Sequence, residues 1–258
     1  IDLRVLELGG GIAAAYACKL LADLGASVTK IEPPGGDPLR KHGPAPTRSA
    51  DRGSGLFQYL NSGKQSVILD TSDARDRRRV VALAASSALV VESLGVGALE
   101  ALDIDRATLR SRSLSMGIVR ISPFGQTGPY RDRAATSAAL QAAGGWTARI
   151  GTPEGPPYFV GGQIEQYVAG SYAAAAALTA HRHATTIGEL VEVDVSIFEC
   201  IVGTVPYPML QKITFDRLGF PVPQRYQPIP GSPCKDLPMG PRRGPAHRAC
   251  NRAGVVVN

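Results

Sequence analysis

Three consecutive glycines, Gly9 to Gly11, are the first residues of this chain whose types and spacing suggest chemistry. Ile12-Ala13-Ala14 follows them, so the segment matches the pattern GxGxxA. In a dinucleotide-binding unit such glycines let the N–H groups of a helix N-terminus approach a pyrophosphate. An acidic residue about 20 positions later, here Glu32, would bind a ribose hydroxyl. The same turn also fits an α/β fold that binds another ligand, so the motif leaves both interpretations open.

The elements that must position this turn are visible as short apolar runs alternating with helical patterns. The predicted strands are Arg4–Leu8, Ser27–Glu32, Ser66–Leu69, Ala88–Glu92, Gly117–Ser122 and Val191–Val195. The predicted helices are Ile12–Leu24, Ala74–Ser86, Ser137–Ala148, Ile164–His181 and Ser196–Lys212. Gly25 and Gly188 follow two of these helices and suit left-handed caps. Strand–helix alternation of this kind predicts an α/β domain with a Rossmann-like, mainly parallel sheet.

Composition excludes several classes of protein. The 258 residues carry a net charge of +6, but residues 237–258 hold four arginines and no acidic residue. The positive and negative charges of the preceding residues are therefore nearly equal in number. Nucleic acid is therefore not an expected partner. No apolar run approaches the roughly 20 residues of a membrane span, and no signal peptide is visible, so a cytoplasmic protein is expected. The four cysteines form no CxxC pair, and His181 and His183 lack further ligands nearby, so no metal is expected.

Six separated segments together resemble the family III CoA-transferases, also called the CaiB/BaiF family, which includes formyl-CoA transferase. They are LLADLGASVTKIEPP from Leu20, with Gly36-Asp37-Pro38 after it, NSGKQSVILD from Asn61, VESLGVGAL from Val91, ISPFGQTGPY from Ile121, GTPEGPP from Gly151 and GELVEVDVSIFE from Gly188. Their order and spacing match the family, and the resemblance covers roughly residues 3–236.

The resemblance implies a Rossmann-like large domain, a smaller second domain and an interlocked homodimer. We expect the large domain at residues 1–205, a proline-rich linker at 206–236 and an atypical basic tail at 237–258. The chain is expected to lack most of the second domain, because the family pattern stops near GSPCKD (Gly231–Asp236). A change of reading frame near that point would explain the unstructured composition of the tail.

The resemblance also implies a substrate: coenzyme A, bound as an acyl-CoA with its nucleotide near the loops after several strands. The family's CoA contacts fall here on the residues Gly10, Gly11, Ile12, Lys64, Ser93, Leu94, Gly97, Ala98 and Ser122. Lys64 matches a cation near the CoA, so we expect it beside a phosphate. Ile12 replaces a polar residue of many transferases, which favours an apolar acyl or acceptor pocket and disfavours formyl-CoA and oxalate.

The chemistry of the family requires a carboxylate that attacks the thioester, forms a mixed anhydride and then activates a carboxylate acceptor. Its GxxDGPP motif supplies an aspartate, whereas this chain has Glu154 in that place. We expect Glu154 to be the nucleophile, with its carboxylate displaced because the glutamate side chain is one methylene longer than that of aspartate. The alternative is that Glu154 is a solvated glutamate in a loop.

Two further alternatives remain open from the sequence. The chain could be a non-catalytic CoA-binding remnant of such an enzyme, or an NAD-linked oxidoreductase that uses the turn Gly9–Ala14. Racemase chemistry is not expected, because the family's histidine and aspartate positions read Thr136-Ser137 and Glu165-Gln166.

Overall fold

The architecture is a six-stranded sheet in which every neighbouring pair of strands is parallel. The computed structural model describes residues 3–43, 53–104, 107–109, 115–150 and 156–205, together with residue 217. The strands are β1 (Arg4–Leu8), β2 (Ser27–Glu32), β3 (Gln65–Ile68), β4 (Leu89–Glu92), β5 (Gly117–Ser122) and β6 (Val191–Ser196). Their order, β3-β2-β1-β4-β5-β6, is that of the doubly wound dinucleotide fold. The six predicted strands are confirmed, each within one residue at either end.

Helices connect the strands and cover both faces of the sheet. They are α1 (Ile12–Asp23), α2 (Gly55–Asn61), α3 (Ala74–Ala85), α4 (Ala98–Ala101), α5 (Ser137–Ala143), α6 (Ile164–Ile187) and α7 (Ile197–Gly203), with 3₁₀ turns at Pro38–Lys41 and Thr147–Arg149. One buried cluster joins α1, α6 and α7 to the sheet, and a second cluster joins α3 and α4 to its other face. The predicted α/β class with a parallel, Rossmann-like sheet is therefore confirmed.

Three helix ends differ from prediction by more than one residue. The longest helix, α6, runs six residues past the predicted end at His181, to the left-handed cap Gly188 (φ 69°). The buried face of α6 continues through Ala180 and Ala184, so packing carries the helix past its two histidines. Helix α5 ends at Ala143 instead of Ala148, because the chain turns at Gly144-Gly145, where Gly145 has φ 89° and Gly144 packs against Ile201 of α7 too closely for a side chain. The predicted helix Ser196–Lys212 extends to Gly203 within the described residues.

Close approach of α1 and α6 depends on small residues. Gly170 lies in α6, and a Cβ atom there would come within 2.8 Å of the Ala13 carbonyl oxygen of α1. The neighbouring buried residues of α6 are mostly alanines, including Ala173 and Ala177. The contact places the first turns of both helices at the same edge of the sheet, where the candidate site lies.

The predicted linker at 206–236 lies outside the described residues except for residue 217, and the predicted tail at 237–258 lies outside them entirely. Among the residues that are described, no helix is both long and apolar enough to cross a membrane. In the same part of the chain, no three His, Cys, Asp or Glu side chains are grouped so that they could hold a metal ion.

Candidate active site

The glycine turn lies where β1 and β4 end side by side, at the point where the strand order reverses. Ligands of open parallel sheets bind outside the carboxyl ends of the strands at this point. Gly9 (φ 98°) must be glycine, since a Cβ atom there would come within 3.0 Å of Ser93 Oγ. That hydroxyl donates to the Gly10 carbonyl oxygen at 2.8 Å and so joins the turn after β1 to the turn after β4.

An apolar cleft of about 250 Å³ lies on one side of the glycine turn. Its lining includes Gly10, Ile31, Pro38, Leu69 and Leu94. These residues come from the turns after β1 and β4, from β2 and the segment after it, and from the end of β3. A cleft with mainly apolar walls suits a flat ring or an alkyl chain.

A second cleft, of about 240 Å³, lies on the other side of the turn. We call it the glutamine cleft, because Gln163 and Gln166 of the α6 start line it together with Ile12, Ser122 and Ile197. The Ser122 hydroxyl is buried and has no hydrogen-bond partner among the described residues. Helix α1 begins at this cleft, and its N-cap, Gly11, offers no side chain to cap the first N–H groups. None of the described lining residues carries a charge.

Lys64, expected from the sequence to lie beside a CoA phosphate, is held by acceptors within the protein. Its side chain is 1% exposed, and its Nζ contacts Glu7 Oε2 at 2.7 Å, the Ala15 carbonyl oxygen at 2.7 Å and Asn61 Oδ1 at 3.1 Å. An ammonium group enclosed by three acceptors is not free to meet a phosphate, so this geometry argues against the expected contact with CoA. The interaction that binds Lys64 instead joins residues 57 positions apart, which no local pattern predicts.

Lys64 belongs to a buried group of charges that we call the Glu7 cluster: Glu7, Lys30, Asp37 and Lys64. Lys30 Nζ lies 2.6 Å from Glu7 Oε1 and 2.7 Å from Asp37 Oδ2, and it donates to the Gly9 carbonyl oxygen at 3.3 Å. Burial would raise the pKa of Glu7, but the two ammonium groups outweigh it and hold that pKa below 4.5. Through Asp37 and Gly9 the cluster supports the wall of the apolar cleft.

Glu32, the candidate ribose ligand, is fully engaged within the protein. Arg40 pairs with both of its carboxylate oxygens at 2.6 and 2.7 Å, and Ser66 Oγ and the Asp37 N–H donate to it as well. Burial opposes these hydrogen bonds and charges but is outweighed, which lowers the pKa of Glu32 to about 2. A carboxylate with these partners is not free to bind ribose, which removes the main support for the oxidoreductase alternative.

A second charged group, the Arg120 cluster, lies under β4, β5 and β6. Arg120 contacts Glu92 Oε1 at 3.1 Å, Glu100 Oε1 at 2.7 Å and Glu192 Oε1 at 3.2 Å. Glu92 also accepts the Leu94 N–H at 2.6 Å, so the cluster supports the turn after β4. Burial raises the pKa of Glu92 above 4.5, and Arg120 and the Leu94 N–H offset only part of this effect.

The structure brings together six of the predicted site residues at the two clefts: Gly10, Gly11, Ile12, Ser93, Leu94 and Ser122. Gly97 and Ala98 begin α4 and are not among the lining residues of either cleft. Glu154 lies in 151–155, outside the described residues. Sequence reasoning did not select the two glutamines as site residues. For Gln166 a signal existed, since Glu165-Gln166 stand at the family's aspartate position, whereas nothing in the helical pattern shows that Gln163 faces a cleft.

Known proteins similar to this chain were found by sequence. The sequence model of the family described as CoA-transferase family III matches residues 1–230. A succinyl-CoA–D-citramalate CoA-transferase from Chloroflexus aurantiacus is 36% identical over 204 residues, which cover 78% of this chain and 50% of that protein. A succinate–glutarate CoA-transferase from Agrobacterium fabrum is 31% identical over 201 residues, covering 76% of this chain and 50% of that protein. The chain thus spans about half the length of the relatives it matches.

Similarity extends to solved structures. A crystal structure of a CaiB/BaiF family protein from Brucella suis superposes with a TM-score of 0.80 at 29% sequence identity. The match covers 88% of this chain and 60% of that chain. The match to the family model, the related sequences and the common fold lead to one conclusion: the chain belongs to CoA-transferase family III.

Proposed function

We propose that this protein takes part in transfer of CoA from an acyl-CoA to a carboxylate acceptor, with the CoA bound across the glycine turn. The net reaction exchanges the two acyl groups: the acyl-CoA and the free carboxylate become the free acid of the first and the CoA thioester of the second. The supporting observation is the pair of clefts that meet at Gly10 at the point where the strand order reverses, in a chain of this family.

The nucleotide end of CoA would lie in the apolar cleft, and the thioester would cross Gly10 into the glutamine cleft. Leu94 and Leu69 offer apolar contact for the adenine or the pantetheine arm, and Gly10 lets the ligand approach the backbone. Ser122 and the two glutamines supply neutral hydrogen-bonding groups at the acyl end. The acyl-CoA is a substrate here, and no metal enters this proposal.

Ligand binding tests this placement first. Titration calorimetry of the 258-residue chain should detect CoA and butyryl-CoA but not NAD⁺. Leu94→Glu should weaken CoA binding about tenfold, because it brings a carboxylate close to an anionic ligand. The matched control is Leu178→Glu on α6, since Leu94 and Leu178 are 41% and 39% exposed and only Leu94 lines a cleft. Tight binding of NAD⁺ without CoA binding would overturn the proposal.

For the chemistry, we propose Glu154 as the nucleophile, on the strength of its place in the GTPEGPP segment. The carboxylate attacks the thioester carbonyl, the carbon–sulfur bond breaks, and CoA leaves as the thiolate while the acyl group stays as a mixed anhydride. Glu154→Gln should lower turnover by orders of magnitude with little change in CoA affinity. Glu154→Asp restores the family's residue and should keep or raise activity. Equal background rates for both variants and the unsubstituted chain would favour the CoA-binding remnant.

The acyl and acceptor chains are proposed to be apolar or neutral. Ile12, Ile121 and Ile197 line the glutamine cleft, and none of its described lining residues carries a charge that would bind a second carboxylate. Relatives named for succinyl-CoA, citramalate or glutarate act on dicarboxylates, so this point separates the chain from them. Butyryl-CoA should bind at least tenfold more tightly than succinyl-CoA; the reverse preference would contradict the assignment.

The domain arrangement is proposed as inferred from sequence, with a large domain at 1–205, a linker at 206–236 and a tail at 237–258. A homodimer and a cytoplasmic location are proposed in the same way. Analytical ultracentrifugation of the full chain tests the dimer, and limited proteolysis tests the boundary near residue 205.

A further inference from the structure

Gln141 of α5 forms hydrogen bonds with the backbone of the segment that leads to the glutamine cleft. Gln141 is fully buried. Its side-chain amide forms hydrogen bonds with both the N–H and the carbonyl group of Val160. Gln141 Oε1 accepts the Val160 N–H at 2.8 Å, and Gln141 Nε2 donates to the Val160 carbonyl oxygen at 2.9 Å. The side chain thus replaces the neighbouring strand that an extended segment would otherwise need for its hydrogen bonds.

The same amide nitrogen binds a buried carboxylate. Gln141 Nε2 donates to Glu165 Oε2 at 2.9 Å, and Glu165, in the first turn of α6, is fully buried. Glu165 Oε1 is buried as well and has no hydrogen-bond partner among the described residues. An enclosed carboxylate with one oxygen unpaired among the described residues costs stability, which is typical of residues that serve a functional site.

Between Val160 and Glu165 the chain makes the turn that brings Gln163 to the cleft. Gln163 adopts a left-handed conformation (φ 54°, ψ 43°), which is uncommon for a residue other than glycine. Its side chain does not cap α6. Such a conformation persists where the surroundings hold it, and here the Gln141 amide holds both ends of the turn.

We propose that Gln141 and Glu165 form a positioning pair that fixes Gln163 and Gln166 in the glutamine cleft, where they meet the acyl group of a bound acyl-CoA. Neither residue of the pair lines the cleft, so the pair acts through the two glutamines rather than by contact with the ligand. This inference rests on the proposed function, because it takes the glutamine cleft as the acyl site.

An exchange of the two side chains tests the pair. Gln141→Glu places a carboxylate against Glu165 and removes the donor to the Val160 carbonyl oxygen. The double variant Gln141→Glu/Glu165→Gln restores a donor and an acceptor in reverse order and keeps an acceptor for the Val160 N–H. Gln58→Glu is a matched control, since the Gln58 amide also donates to a backbone carbonyl oxygen, that of Gly53 at 2.9 Å, and Gln58 lines neither cleft.

The readouts are the dissociation constants of butyryl-CoA and of CoA, with hydrogen exchange of the peptide that contains Val160. We expect Gln141→Glu to weaken butyryl-CoA binding at least fivefold, to change CoA binding less than twofold and to speed the exchange. The double variant should recover butyryl-CoA binding to within about threefold. A purely structural role would weaken both ligands equally, and that result, or a folded double variant without recovery, would overturn the pair.

The test separates this inference from the proposed function. If the unsubstituted chain binds butyryl-CoA but transfers no CoA, only the proposed chemistry fails. The changes in the dissociation constants of butyryl-CoA and CoA then still test the positioning pair. If the chain transfers CoA and the exchange of side chains leaves both dissociation constants unchanged, only the positioning pair fails. If the chain binds neither ligand, the acyl site and the pair are both overturned.

Discussion

Two charged clusters support the same edge of the sheet, and they differ in how their charges are balanced. The Glu7 cluster joins two ammonium groups to two carboxylates, and its ion-paired side chains are at most 2% exposed. The Arg120 cluster joins one guanidinium to three carboxylates, and the Glu100 and Glu192 side chains are 51% and 31% exposed. Water can stabilise the excess charge of the second cluster, whereas the first depends on complete pairing. The apolar cleft is therefore supported by one fully buried cluster with balanced charges and by one partly exposed cluster with an excess of carboxylates.

The largest effect is expected from Lys30→Met. The substitution leaves Asp37 without its ion-pair partner and Glu7 with one ammonium instead of two, both in the interior. Breaking a buried pair of this kind costs about 3–5 kcal/mol. Urea unfolding of the variant should show a loss in this range. Lys19→Met is the control, since it breaks the i,i+4 pair with the half-exposed Asp23, and such pairs contribute about 0.5 kcal/mol. Equal losses in the free energy of unfolding for both variants would contradict the expected difference between buried and exposed ion pairs.

A matched pair of glutamate substitutions compares the clusters directly. Glu7→Gln should destabilise the protein by about 3 kcal/mol at neutral pH, because two enclosed ammonium groups lose their common counter-charge. Glu92→Gln should change stability by less than about 1 kcal/mol, because burial raises the pKa of Glu92 and so makes its charged form less favourable than that of Glu7. Both residues are fully buried and both changes are isosteric. The reverse order of the two losses in urea unfolding would contradict the proposed difference in charge balance.

The pH dependence of these two losses should have opposite signs. The pKa of Glu7 is lowered from 4.5, so its charge contributes stability above about pH 4.5 that disappears as the pH falls through the lowered value. The pKa of Glu92 is raised from 4.5, so its contribution is present below that value and is lost as the pH rises through the raised value. Relative to the unsubstituted chain, Glu7→Gln should therefore lose its penalty in acid. Glu92→Gln should gain relative stability between pH 4.5 and neutrality. Melting temperatures from pH 3 to 8 measure both slopes.

The smallest effect is expected for Lys64 on CoA affinity. Lys64→Met should destabilise the fold but change the dissociation constant of CoA by less than about threefold, with the same salt dependence, since the ammonium is enclosed by protein acceptors. Calorimetry at 20 and 200 mM salt tests this. A large, salt-sensitive loss of affinity in a variant that stays folded would show that Lys64 leaves Glu7 and reaches a phosphate.

Much of the fold was predictable because it depends on local patterns. Buried parallel strands are short apolar runs, so all six could be located within one residue. The glycine turn was predictable for a similar reason: backbone at φ 98° and φ 101° is accessible to glycine at little cost. Helix ends were less predictable, as α6 shows: the sequence marked Gly188 as a cap, but only the burial of Ala180 and Ala184 shows that the helix continues past His181 to reach it.

The sequence by itself determined the strands, the glycine turn and the segments that identify the family, since each is a contiguous pattern. Only the tertiary structure decided which charges meet. It pairs Lys64 with Glu7 across 57 positions, directs Glu32 to Arg40 and joins Gln141 to Val160 and Glu165. The physical reason is that a buried polar group takes whichever partner the packed chain brings within about 3 Å, and sequence spacing does not encode that distance.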